Sequence, residues 1–314
     1  MLFNKAGLQT SIQDFGRIGN MHLGVSHSGA MDKTSLALAN YLVGKAKNSP
    51  AIEITLIGPK ITFQQSMSIA VCGARFDIYL NNELVFNDEI IRVRGGDVLE
   101  FEQLNNGARA YLAFSGTVDF KKQLDSYSTH ITAKIGGLTS EQLKDGDQIP
   151  ISSTETVSNN SLPKSMSVEH VYSGKYVLRC VDSVETKQFS NSFKKHFYSQ
   201  RFKISMHSNR MGIRLETHED FTNDFHKEKL LEMTSTGLTQ GSIQIPPNGQ
   251  PIISSVDGQT IGGYPRIANI ISADLDMLGQ LKSNDMISFK IVGLEQAMIL
   301  YQLKQTWLEN IIKN

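Results

Sequence analysis

Between residues 51 and 56 the chain alternates, with Ile52, Ile54 and Leu56 on one face and Glu53 and Thr55 on the other. That two-residue period predicts a β-strand. Ser68 to Cys72, Phe76 to Leu80, Val98 to Phe101 and Arg109 to Phe114 are further strand candidates, and Asn81-Asn82, Gly95-Gly96-Asp97 and Asn105-Asn106-Gly107 between them predict turns. Strands recurring about every ten residues predict a sheet closed into a barrel or sandwich. One helix interrupts them: Asp32 suits an N-cap, Leu36, Ala39, Leu42 and Val43 share a face, and Gly44 stands just past the end.

The second half has a strand candidate at Lys175 to Val181, a capped helix expected from Asp182 with Glu185 three residues on, and strand-rich sequence to Val292. Leu294, Ala297, Met298, Tyr301, Leu308, Ile311 and Ile312 then form a helical apolar stripe, expected to pack on the body, with Tyr301 and Trp307 serving no cofactor. From Pro150 to Lys164 the chain is poor in apolar residues and crowded with Ser, Thr and Asn. A linker at 156–164 therefore separates a strand-rich domain, 1–155, from a second domain, 165–314. The class is mainly β with a few helices. Gly96-Asp97-Val98-Leu99-Glu100-Phe101 and Asn284-Asp285-Met286-Ile287-Ser288-Phe289 share a turn-then-strand pattern, which duplication and the recurrence of a common turn explain equally well.

Length agrees with two domains: 314 residues, 40% of them apolar, suffice for sizeable cores. Lys plus Arg number 31 and Asp plus Glu 31, so no strong field exists to hold nucleic acid or an anionic membrane, and neither is expected as a partner. The first ten residues lack the apolar core of a secretory signal, and no run of apolar residues is long enough to span a bilayer; a cytoplasmic location is expected. Cys72 and Cys180 each sit in an apolar, strand-like run, which predicts buried thiols rather than a disulfide or a zinc site. The sequence contains no G-x-x-x-x-G-K-[ST], no strand-linked G-x-G-x-x-G, no H-E-x-x-H and no G-x-S-x-G. His207 and His226 are isolated, Ser28 has no visible catalytic partner, and no metal site is predicted.

Two stretches carry unusual backbone chemistry, Gly241 to Pro251 and Asp257 to Arg266. Paired glycines allow close approach of backbone N–H groups to a ligand, prolines fix neighbouring dihedrals, and Gln, Tyr and Arg supply polar tips. This combination suits a carboxylate or oxyanion held by N–H groups and a guanidinium. Tight barrel-corner turns would use the same residues.

The opening Gly7-Leu8-Gln9-Thr10-Ser11-Ile12-Gln13-Asp14-Phe15-Gly16-Arg17, then Gly24-Val25, Ser28-Gly29-Ala30-Met31-Asp32 and Ala39-Asn40 with Leu42-Val43-Gly44, resembles the family known as allophanate hydrolase subunit 2 or biotin-dependent carboxyltransferase, which includes KipA-like proteins and the C-type subunit of 5-oxoprolinase. Ser208 to Leu215, Gly241 to Arg266, Ser272-Ala273-Asp274-Leu275 and Gln280 match its later motifs, so the resemblance runs from about Gly7 to Phe289. Two departures are local. Asp125-Ser126-Tyr127-Ser128-Thr129 stands where the family tends to have Gly-Ser-Arg-Ser-Thr, which removes a guanidinium, and Ser283-Asn284-Asp285 where it tends to have Pro-Gly-Asp.

The resemblance implies cyclophilin-like β-barrel domains and one of three roles. The first is a subunit of an ATP-dependent 5-oxoprolinase, inactive alone, hydrolysing 5-oxo-L-proline to L-glutamate with KipI-like and LamB/YcsF-like partners. The second is a biotin-dependent carboxyltransferase of the urea or allophanate type. The third is a non-enzymatic KipA-like regulator that binds a kinase inhibitor. ATP is the cofactor implied by the first, biotin by the second only. Gln244, Gln250, Gly262, Gly263, Tyr264 and Arg266 are placed in the substrate pocket, with Arg210 and Arg214 on an adjoining strand. Arg214 and Glu216 share the face opposite Ile213 and Leu215, where a ligand role and a structural salt bridge compete. Asp14, Arg17 and Asp32 are assigned to the same cleft or to a subunit interface, with helix capping as the competing role for Asp32. No residue qualifies as a general base.

Overall fold

A computed structural model describes residues 1–152, 172–228, 230 and 233–313. The linker expected at 156–164 and the start of the second domain at 165 lie outside the described residues. The chain separates into two compact units, Met1–Ile18 with Ser28–Val171 and Gly19–His27 with Tyr172–Asn314.

The first unit is built on an eight-stranded antiparallel sheet that forms a half-barrel. Two long strands dominate it, Met67–Leu80 and Val98–Phe114. The sequence pattern divides each into two, and the Asn105-Asn106-Gly107 turn signal lies inside the second. The register between these strands shifts between Gly73 and Arg75 and again between Phe76 and Ile78, so the intervening residues are accommodated as bulges. Gly73 has φ 101°, and a Cβ there would stand 2.6 Å from the Arg109 carbonyl oxygen. The pairing can thus bend without breaking. Phe3, Ile52, Ile54, Phe63, Ile69, Val71, Leu99 and Leu112 form the centre of the core. On the other face of Ala51–Thr55, Glu53 is also buried, because Tyr111 Oη and the Met31 N–H both donate to its carboxylate. Helix α1, Lys33–Leu42, starts beside this pair, capped by Asp32, whose carboxylate accepts from the Ser35 N–H at 2.9 Å.

Alternating strands build the second unit's wall, with one register shift between Ile243 and Gln244. The strands Lys175–Asp182, Arg266–Ile270, Ser242–Gln244, Ile252–Ser254, Gly212–Glu216, Phe202–Ile204 and Met286–Ile291 close into a seven-stranded barrel in that order. Ile213, Leu215, Ile243, Ile253, Ile267 and Ile287 are buried within it, so the lumen is a packed core. The protein is therefore mostly β, with one closed and one open barrel, as the resemblance implies.

Two further expectations change. Asp182 ends a strand instead of capping a helix: the Ser183 N–H is taken by Thr186 Oγ1 and only a single tight turn, Thr186–Gln188, follows. The helix, α2, runs Asn191–Ser199, with Ser190 as its cap and Phe193 and Phe197 one turn apart against the aromatic group of Phe202, Phe221 and Phe289. The C-terminal helix Leu294–Lys313 buries Ala297 and Leu308, but leaves Leu294, Met298, Tyr301 and Trp307 exposed.

The internal echo is a recurring turn. Asp97 and Asp285 each accept, through the side chain, the N–H three residues earlier, Arg94 at 2.7 Å and Lys282 at 2.9 Å. Asp147 does the same with Lys144 at 2.8 Å, so the device occurs at least three times. It requires a left-handed residue before the Asp, supplied by Gly96, Gly146 and Asn284, with φ of 95°, 87° and 73°. Asn tolerates that region better than other residues with a side chain, which suits Asn284 to the place that Gly96 and Gly146 hold in the other two turns.

Candidate functional site

The barrel wall carries a row of side chains on its outer face. Gln244 pairs with Ile252, and Ile252 with Arg214, across three adjacent antiparallel strands; directly paired residues share a face, so all three project away from the buried isoleucines between them. Above this row lies an open cavity of ≈ 1290 Å³, walled also by Gly212, Ser254, Pro246 and Pro247 and by a short ribbon in which Thr236–Gly237 pairs with Ile261–Gly262. Every lining residue belongs to the second unit.

Gln244 is 9% exposed, and its Nε2 donates to the Tyr264 carbonyl at 3.2 Å. Gly262 stands against it: a Cβ on that residue would come within 2.6 Å of Nε2. A side chain at 262 would therefore have to push that amide aside. Gly263 and Tyr264 continue the same wall.

The three candidate arginines have different fates. Arg210 is buried and forms a two-point pair with Asp257, Nε at 2.8 Å and Nη2 at 3.1 Å, with both side chains 3% exposed. Arg266 stands beside Gln244 in the register, but its guanidinium turns to Glu185, with Nε donating at 2.6 Å, and to the Gly237 carbonyl at 2.7 Å and Thr236 Oγ1 at 3.1 Å. The donated hydrogen bonds hold the Glu185 carboxyl below its ordinary range and raise Arg266. Arg266 therefore anchors the ribbon that walls the cavity. Arg214 is exposed, lines the cavity and has no acidic partner among the described residues. Glu216, its neighbour on that face, pairs with Lys203 at 2.7 Å.

Gln244, Gly262, Gly263, Tyr264 and Arg214 thus meet at one cavity, whereas Gln250, Arg210 and Arg266 stand outside its walls. Gln250 is exposed in a turn, its N–H donating to Asn248 Oδ1. Ser235 and Leu238 also line the cavity; the sequence offers no signal for them beyond a neighbouring Gly237. Glu185 it marks only as part of a helix cap, not as the partner of an arginine 81 residues away.

Asp14, Arg17 and Asp32 belong to the first unit and are all buried. The Asp14 carboxylate receives Ser126 Oγ at 2.6 Å, Ser128 Oγ at 2.5 Å, the Tyr127 N–H at 2.7 Å and the Gly16 N–H at 2.8 Å. Arg17 donates to the Ser128 carbonyl. Both secure the 125–129 loop from within. Asp32 caps α1, and Ser28 is buried, its Oγ donating to the Thr129 carbonyl at 3.2 Å.

Cys72 and Cys180 are both free and buried. Burial pushes the Cys72 thiol well up, and Cys180 up to about 12, so neither is a ready nucleophile. Among the described residues no three His, Cys, Asp or Glu side chains form a metal-binding group, and no helix is long and apolar enough to cross a membrane.

Residues 23–291 match the family described as carboxyltransferase domain, subdomain A and B. The chain belongs to this carboxyltransferase domain family. It is 35% identical to the C-type subunit of 5-oxoprolinase from Haemophilus influenzae over 96% of this chain and 94% of that one. With the corresponding 5-oxoprolinase protein of Escherichia coli it shares 35% identity over 98% of this chain and 96% of that one. The crystal structure of Kluyveromyces lactis urea carboxylase superposes with a TM-score of 0.87 at 28% identity, over 99% of this chain but only 29% of that protein. The carboxyltransferase fold accordingly occurs both as a separate subunit and as part of a much longer enzyme.

Proposed function

We propose that this chain is the C-type subunit of an ATP-dependent 5-oxoprolinase, hydrolysing 5-oxo-L-proline to L-glutamate in the cytoplasm with KipI-like and LamB/YcsF-like partners. The observation that carries this reading is the end-to-end match with two proteins named as C-type subunits of 5-oxoprolinase, in which neither chain leaves a substantial segment unmatched. The cavity supports it chemically. Arg214 offers a guanidinium fork to a carboxylate, while Gln244, two strands away on the same face, presents an amide to a small polar ring. A lactam is an unactivated amide, and ATP would convert its carbonyl oxygen into a leaving group. No nucleotide motif occurs in the sequence, so the chain alone should be nearly inactive. ATP turnover dependent on 5-oxoproline should appear only when both partners are added; strong turnover by this chain alone would sink the reading.

The urea carboxylase superposition favours a second reading, biotin-dependent carboxyl transfer. The two separate in the same assay. A biotin-borne carboxyl group cannot be delivered once avidin has sequestered biotin, whereas direct activation of a lactam needs neither biotin nor bicarbonate. Activity that survives avidin supports the oxoprolinase; abolition by avidin with rescue by excess biotinylated carrier promotes the transferase.

A further inference from the structure

We propose that Gln244 is the specificity residue that reads the ring N–H of the substrate, accepting it on Oε1, and so selects a lactam over the corresponding lactone. This rests on the proposal that the cavity receives 5-oxoproline.

The orientation of the amide follows from chemistry. The Tyr264 carbonyl can only accept, so the group 3.2 Å from it must be the nitrogen of Gln244, which leaves Oε1 on the opposite edge of the planar amide. The absence of a Cβ at Gly262 leaves the nitrogen room to reach that carbonyl, since an added Cβ would stand within 2.6 Å of it. Among the described residues no donor meets Oε1, and that atom is not sealed from solvent. Gln244 is nevertheless nine-tenths buried and lines the cavity. Its accessible edge therefore faces the cavity, as a fixed acceptor waiting for a donor.

Its place in the row defines what that donor is attached to. Arg214 lies two strands away, roughly 10 Å between backbones at ordinary strand spacing, with only Ile252 between. A ligand bridging the two must carry an anion close to an N–H. In 5-oxoproline the carbon bearing the carboxylate is bonded directly to the ring nitrogen, so one small ring satisfies both ends. A lactone would instead turn ring-oxygen lone pairs toward Oε1, leaving two acceptors facing each other and neither satisfied.

The test is titration calorimetry of the full-length chain with 5-oxo-L-proline and with its γ-lactone counterpart, in which a ring oxygen replaces the N–H. Wild type should prefer the lactam by roughly ten- to a hundredfold. Gln244→Met should abolish that preference by weakening lactam binding alone, and Arg214→Ala should weaken both ligands equally. Equal binding of the two ligands by wild type, with Arg214→Ala still weakening both, would overturn the role of Gln244 and leave the substrate reading standing. Binding of neither ligand would overturn both. The wild-type comparison needs no variant, so a Gln244 variant that fails to fold does not rescue the proposal.

Discussion

The 125–129 loop in the first unit and the cavity in the second are assembled from the same materials, a few polar side chains, glycines and an arginine, yet they reach opposite states. Around Asp14 four donors converge on one carboxylate, and the neighbouring Arg17 is buried against the same loop. A carboxylate so filled rigidifies a loop and has little left to give a ligand. Around Gln244 the set is open: the amide nitrogen is held by the Tyr264 carbonyl, the residue lines the cavity, and an exposed guanidinium stands in the same row. Arginine identity does not separate a binding residue from a structural one. Among the three arginines of the barrel a buried carboxylate opposite does, and on that test Arg210 and Arg266 are structural while Arg214 is left facing the cavity.

The largest effect should come from breaking a closed pair. Arg210→Met leaves the Asp257 carboxylate buried without its counter-charge and should cost about 3–5 kcal/mol of stability. Chemical denaturation measures it, and a loss below about 1 kcal/mol would mean that this pair is not what holds the segment. Arg214→Ala, four residues along, is expected to do the reverse. Its stability should stay within about 0.5 kcal/mol of wild type, while binding of 5-oxoproline weakens by about 1.5–3 kcal/mol, the worth of a charged hydrogen bond. A destabilised Arg214→Ala with unchanged binding would collapse the comparison.

The smallest effect concerns Glu185, whose pair with Arg266 lies between the two extremes because it both closes a charge and anchors the cavity ribbon. Its carboxyl titrates below its ordinary value of 4.5. A lowered folded-state value means that the unfolded chain takes up the proton first, so the pair's contribution is complete above that ordinary value and is lost as pH falls through the folded one. Glu185→Gln should remove this part of the acid sensitivity, flattening stability against pH below about pH 4.5 and leaving the slope above it unchanged. An identical acid limb in variant and wild type would show that the pair contributes nothing to folding.

Periodicity and turn chemistry, both local properties, were legible without coordinates. They determined the strand content, the helix between Asp32 and Gly44, the buried thiols and the two glycine-rich stretches that supply most of the cavity wall. The long motifs determined the family. Local signals misled where one residue type serves two ends: Asn105-Asn106-Gly107 makes a turn in most settings but a bulge when both flanks pair with the same strand, and Asp182 with Glu185 imitates a helix cap when its acid is claimed by an arginine 81 residues away. Which arginine faces the cavity and which one braces was decided only by tertiary structure. Charge pairing depends on distance through space, and the closure of the barrel, not the order of residues, brings Glu185 to Arg266 and Asp257 to Arg210 while leaving Arg214 facing the cavity.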